Sequence, residues 1–212
     1  VNAAVDELDV TSLLTIAASA AARRRYNAEG GGGGYSMATT DDIIDSIAQR
    51  LGKGGYKVSR EVALPNGPIA KIAASRTYFS WKGLVILSQH IVVRQLDNAR
   101  PQDIQELFET GFRFGKHANW IPLLRGMQFG YMIIPVIVGA NPDGALVQYV
   151  SSSPRKHWSL FEYPVFVDSQ NSKTFSFQGT AVWGAFFFSD LRKVVEKYIT
   201  SLPSKPSDGC LV

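Results

Sequence analysis

From residue 40 onward the chain switches repeatedly between two hydrophobic periods. In TDDIIDSIAQRLG the apolar positions Ile43, Ile44, Ile47, Ala48 and Leu51 fall on one helical face, which predicts a helix over 40–52. Thr39 or Thr40 can cap its start, acids fill its first turn, and Gly52 stands near its end. YKVSREVAL at 56–64 alternates as a strand does, and Pro65-Asn66-Gly67 supplies a tight turn. Strands follow at 69–79 and 84–96, joined as a hairpin across Ser80–Gly83, the second apolar enough to be central.

Residues 99–119 return to helical spacing. Pro101 lies in the first turn, and Ile104, Leu107, Phe108, Phe112 and His117 are expected on the buried side. YMIIPVIV at 131–138 predicts a strand in which Pro135 argues against a fully paired interior position. A short helix at 143–152, two strands within 162–179 and a final helix at 189–201 capped by Ser189 complete the order. That order, α-β-β-β-α-β-(α)-β-β-α, predicts an α/β (or α+β) fold with a single mixed sheet flanked by helices.

The pattern before residue 37 is different. Residues 29–37 read EGGGGGYSM, after an Ala-rich stretch and Arg23-Arg24-Arg25. No strand precedes the glycines and no Lys-Ser/Thr pair follows, which disfavours a phosphate loop. Two readings remain: a flexible linker from an Ala-rich helical arm at about 6–25, or, since glycine codons begin GG and glutamate codons GA, the translation of a purine-rich ribosome-binding tract, which is the one favoured. The expectation is therefore a non-native or disordered extension over 1–36, one globular domain over 37–202, and a mobile tail over 203–212. A chain begun at Met37 is expected to melt at the same temperature as the full chain; a loss of several degrees would show the extension docked.

Composition narrows the class. Of 212 residues 45% are apolar and 19% charged, and the aromatic residues lie almost entirely after residue 55, which supports a folded core. A net charge of +4 without a run of five basic residues fits a solvated surface. The lone Cys210 allows no internal disulfide, and the longest apolar run, 132–140, is too short to span a bilayer. A cytoplasmic protein with no membrane partner is the expectation.

The run GGYKVSREVALPNG, IAKIAAS, LVILSQ, a helix and MIIPVIV resembles the restriction-endonuclease-like superfamily, over about 38–140. There a helix leads into three strands, then a helix and a fourth strand. The resemblance implies a metal-binding Asp on the second strand, near Lys71 or Ser75, and an acidic-x-Lys motif on the third, near Ser88-Gln89-His90. No acid stands at any of these positions, nor anywhere between Glu61 and Asp97, so the implied active site is degenerate and magnesium would lack its carboxylate ligands.

Other chemistry is sparse. His90, His117 and His157 lack zinc-site spacing, and Cys210 has no fixed base near it in sequence. No catalytic residue, metal or cofactor is assigned. The stretch SSSPRKHWSLFEYP places Arg155, Lys156, His157 and Trp158 together after a Ser-Pro break. Guanidinium and ammonium there could hold phosphate oxygens while the indole stacks on a base or sugar; the bland alternative is a core-anchored loop with solvated charges. TYFSWKG at 77–83 offers a second contact surface at the hairpin tip, whereas AVWGAFFFSDL at 181–191 reads as core. The functional expectation is a non-enzymatic binding or interaction domain for a phosphate-bearing ligand or nucleic acid. Two alternatives stand beside it. One is a nuclease-like hydrolase with displaced acids drawn from Glu61, Glu162 and Asp168. The other is a structural subunit with a protein partner or a second copy of itself.

Overall fold

The computed structural model describes residues 39–81, 84–118, 129–154, 160–179 and 185–200. Contacts divide the chain into Val1–Met37 and Ala38–Val212, and the architecture below is that of the second unit. Its elements are α1 (Thr40–Lys53), β1 (Lys57–Ala63), β2 (Ile69–Ser80), β3 (Val85–Gln95), α2 (Pro101–Ala118), β4 (Phe129–Gly139), α3 (Gly144–Ser151), β5 (Leu160–Glu162), β6 (Val165–Asp168), β7 (Lys173–Ser176) and α4 (Ala185–Val195), which runs on as a turn of π-helix over Glu196–Thr200.

The fold is mixed α/β, a seven-stranded sheet with helices on both faces. Strands β1, β2 and β3 form an antiparallel meander, β4 runs parallel to β3, and β7 returns antiparallel on β6. Both β5 and β6 pair with β4 in parallel and in the same register, Tyr131 opposite Leu160 and Val136 opposite Val165. They are one strand with a gap at Tyr163–Pro164. Pro135 causes the gap. The Tyr163 amide donates to the Ile133 carbonyl at 3.0 Å, so the odd positions of β4 address this neighbour, and the amide hydrogen that Pro135 lacks is the one the next ladder bond needs. Pro135 therefore sits inside a wholly buried central strand but, as the sequence predicts, is not fully paired there, at the cost of one bond on one side.

Alternation along the strands lets the sheet pack a core on each face. Ile72, Leu87, Ile91, Met132 and Val136 face α1 and α4, meeting Ile43, Ile47, Leu51, Phe188 and Leu191. Val92, Ile137 and Phe166 face α2 and α3, meeting Ile104, Leu107, Leu146 and Val150. Helix α1 begins with a capping box, Thr39 and Asp42 bonding each other's backbone amides, and ends at Gly54 rather than Gly52. The last helix starts at Ala185, so Ser189 lies inside it rather than at the N-cap the sequence suggests. His117 is exposed, its Nδ1 3.1 Å from the Arg113 carbonyl oxygen; Gly115 takes the inward position, against His90.

The connections give the sheet two unlike ends. Strands β3, β4 and β5 begin at the end where β2 finishes, and α1 and α2 both run toward it. Their last turns carry Arg50 with Lys53 and Lys116 with His117. At the opposite end the carboxylates serve the backbone. Asp97 accepts from the Ala140 amide at 2.7 Å, Asp103 from the Arg100 amide at 2.8 Å, Asp143 from the Ala145 amide at 3.1 Å, and Asp168 from the amides of Gln170 and Asn171. Those hydrogen bonds hold the Asp168 carboxyl below its usual range against the opposing effect of burial.

Candidate ligand-binding site

The basic end contains a cleft built by close approach. Gly54 ends α1, and a methyl group there would lie 2.5 Å from the Tyr198 ring, so only glycine lets the π-helical turn settle on this corner. The turn brings Lys197 and Tyr198 opposite Arg50 and Lys53, and with Gly54 they line an open groove of about 190 Å³. The lining among the described residues holds three cations and no carboxylate.

Arg50 gives one Nη2 hydrogen to the Ile199 carbonyl at 3.3 Å, while its Nε and Nη1 are shielded from solvent with no hydrogen-bond partner. That shielding lowers its pKa from the ordinary arginine value, a sign that the charge is incompletely compensated. Helix-dipole compensation accounts for a cation in a last turn; it does not account for donors left unmet beside a cavity. Beneath the cleft Tyr56 meets Tyr198 edge to face at 5.5 Å and donates to Gln89 Oε1 at 2.5 Å. The Arg76 guanidinium lies 4.6 Å from the Tyr56 ring centre and 5.1 Å from that of Tyr78, and reaches the Gly54 carbonyl at 3.3 Å. Burial raises the Tyr56 hydroxyl well above its ordinary pKa, so it is a permanent donor to Gln89.

The strand positions implied by the nuclease resemblance are occupied otherwise. Lys71 pairs with Glu61 at 2.8 Å on the open edge of the sheet, and Ser75 faces His90 across the β2–β3 ladder. Ser88, Gln89 and His90 are fully buried. His90 Nε2 lies 2.9 Å from Ser88 Oγ, and Phe114, Gly115 and Tyr131 close over the imidazole. Burial pushes the His90 pKa down to about 4, leaving it neutral at pH 7.

The three acids of the alternative reading do not converge. Glu61 is exposed on edge strand β1, with φ of 48°. Glu162 is buried on β5 opposite Ile133, where it accepts from the Tyr149 hydroxyl at 3.1 Å. Asp168 ends β6 opposite Gly139, six positions further along the same register. Among the described residues no three His, Cys, Asp or Glu side chains group as a metal would need.

Arg155, Lys156, His157 and Trp158 lie outside the described residues, as do Lys82 and Cys210. Their flanks are placed: Tyr149, Ser152, Ser153, Pro154, Glu162 and Pro164 line a cavity of about 220 Å³, and β5, which the cluster precedes, begins at the basic end. Phe79 and Trp81 are exposed at the hairpin tip as the sequence predicts, and Phe188 is core. Sequence reasoning missed the Arg50 cleft, since Arg50 and Tyr198 meet only through the fold. Its single local signal is the Arg50/Lys53 spacing before a glycine turn.

No protein-family model, no curated protein and no solved structure matches the chain.

Proposed function

We propose that this chain is a non-enzymatic binding domain for a phosphate-bearing ligand, held in the Arg50 cleft. The observation that carries the reading is the pair of solvent-shielded Arg50 donors beside a cavity whose described lining offers cations and no carboxylate. Phosphate oxygens match a guanidinium fork and accept from lysine ammonium groups, and Tyr198 offers a wall for the organic part. Against catalysis stand the sealed Ser88-Gln89-His90 segment and the separation of Glu61, Glu162 and Asp168. The element order supports placing the domain with the restriction-endonuclease-like superfamily as a member whose metal-binding acids are replaced.

The test is calorimetric titration with inorganic pyrophosphate. Arg50→Ala is expected to weaken binding about thirtyfold, since a charge-assisted hydrogen bond contributes roughly 2 kcal/mol. Gly54→Ala, which drives Tyr198 off the corner, should weaken it as well. Arg155→Ala and Lys205→Ala run in parallel. A loss confined to Arg155→Ala moves the site to the 155–158 cluster. Equal small losses from all the arginine and lysine substitutions leave only diffuse charge, and the reading fails.

A further inference from the structure

Folding does not explain the tip of the β2–β3 hairpin. Trp81 is 81% exposed, Leu84 67% and Phe79 46%, three of the four large apolar side chains left most open to water among the described residues. Phe79 and Trp81 pack edge to face with ring centres 4.8 Å apart, so the tip presents a preformed aromatic wedge. Leu84 holds a φ of 50°, a conformation that glycine or asparagine adopts with little strain, and its side chain gains no burial in return.

What surrounds the wedge is charge, on both faces of the sheet. On the α1 side stands Lys53, in the last turn of that helix, while the exposed Lys57 at the start of β1, opposite Ser75 in the row of His90, belongs to the α2 side. On the α2 side Lys116 lies 5.8 Å over the Phe112 ring, which packs on Tyr131 and through it on Phe129, in the same strand row as Ile86 and Phe79. Arg113 and His117 share that helix end, with Glu109 already paired to Arg113 at 3.8 Å. Along α4 and its π-helical turn Asp190 and Glu196 stand among Arg192, Lys193 and Lys197, so the stretch carries one more cation than acid.

We propose that the β2–β3 tip docks on an anionic lipid surface, inserting Trp81, Phe79 and Leu84 among the headgroups while cations on both flanks meet lipid phosphates. A convex apolar point between two basic shoulders fits a plane of negative charge. A nucleic-acid strand lying in the Arg50 cleft would engage one shoulder only, which is why the lipid is favoured. Tryptophan suits the headgroup level because its ring is apolar and its indole N–H finds polar partners there. The expectation of no membrane partner rested on the lack of a spanning segment, and no described helix is long and apolar enough to cross; contact at the surface requires none.

The experiment is flotation of the full chain with phosphatidylcholine vesicles, with and without phosphatidylserine, alongside anisotropy of a labelled oligothymidylate. Binding is expected only with phosphatidylserine, to weaken with salt, and to fall about fivefold for each of Lys57→Gln and Lys116→Gln. Trp81→Ala should lower it at least tenfold and Trp81→Phe far less, while pyrophosphate binding at Arg50 stays unchanged in both. Trp81 emission should shift to the blue on binding and be quenched by brominated lipid. Equal binding to both vesicle types, no effect of Trp81→Ala, or Trp81-dependent binding of the oligonucleotide alone would each overturn the proposal. Arg50→Ala, which decides the cleft reading, is expected to leave flotation within a fewfold of the parent.

Discussion

Gly139→Ala is expected to cost the domain more stability than any surface change, about 3 kcal/mol or more, a large share of the roughly 5–15 kcal/mol that holds such a domain folded. Gly139 is the last residue of β4, where the chain leaving β3 crosses close over it. A methyl group there would overlap the Leu96 carbonyl group and press on the Asp97 amide, all backbone atoms. Neither segment can move alone. The Leu96 amide donates to Val138 at 3.0 Å, the Asn98 amide to Ala140 at 3.0 Å, and the Ser169 amide to Gly139 at 2.9 Å, while Asp97 caps the Ala140 amide. Relieving the overlap breaks several of these at once, and buried backbone groups left unpaired are costly. Gly144→Ala is the control. It lies at the start of α3 with nothing within 4 Å of the added methyl, so it should stabilise by about 0.5–1 kcal/mol through helix propensity. Urea melts of both variants check the pair. Equal, small effects would show that the Leu96 crossing yields easily.

The same corner shows what the sequence could and could not convey. Ile43, Ile44, Ile47, Ala48 and Leu51 are a face readable from spacing alone, and all are buried. Long elements with one buried side were legible because burial imposes a period. Elements ruled by contacts distant in sequence were not. The three-residue β5 is too short to show any period, and its register comes from β4. The start of α4 moves back to Ala185 because Phe187 and Phe188 pack on Phe161, the two ring centres 4.8 and 6.1 Å away, a tertiary gain that outweighs the local cap signal of Ser189. Gly115 reads as a weak point in α2 until His90 is seen beneath it.

The candidate site divides in the same way. The exposed tip was legible because Phe79 and Trp81 flank a turn, and turn tips have little core to reach. The Arg50 cleft was not, since each of its cations reads as an ordinary last-turn or surface charge, and only the π-helical turn brings the two helix ends together. Turns of that kind recur at functional sites. Here the turn places Tyr198 on Gly54, so the local irregularity and the cavity have one cause.

His90 predicts a loss of stability in mild acid. The imidazole is fully buried, and its described neighbours Ser88, Phe114, Gly115 and Tyr131 carry no charge that would support a proton. Its pKa falls from the ordinary 6.5 to about 4. Between those values the unfolded chain binds a proton that the native state does not, so stability rises with pH across the window. It is fully present above about pH 6.5 and lost as the pH falls toward 4, a decline of about 3 kcal/mol from this one group. In a domain of this size that is roughly 6–12 °C in melting temperature. Asp42, whose carboxyl is held below its usual range by its hydrogen bonds to Thr39, and Asp168 act in the same direction, but only below their ordinary value of 3.8, so the windows separate. Denaturant melts from pH 7 to pH 4 measure the slope, and His90→Gln, which keeps a polar partner for Ser88 but cannot titrate, supplies the comparison. The variant should start less stable and lose far less over the interval. A parent chain equally stable at pH 7 and pH 4.5, or a variant with the same slope, would show that His90 takes up its proton without cost, and that the Ser88–His90 pair is open to water rather than sealed under α2.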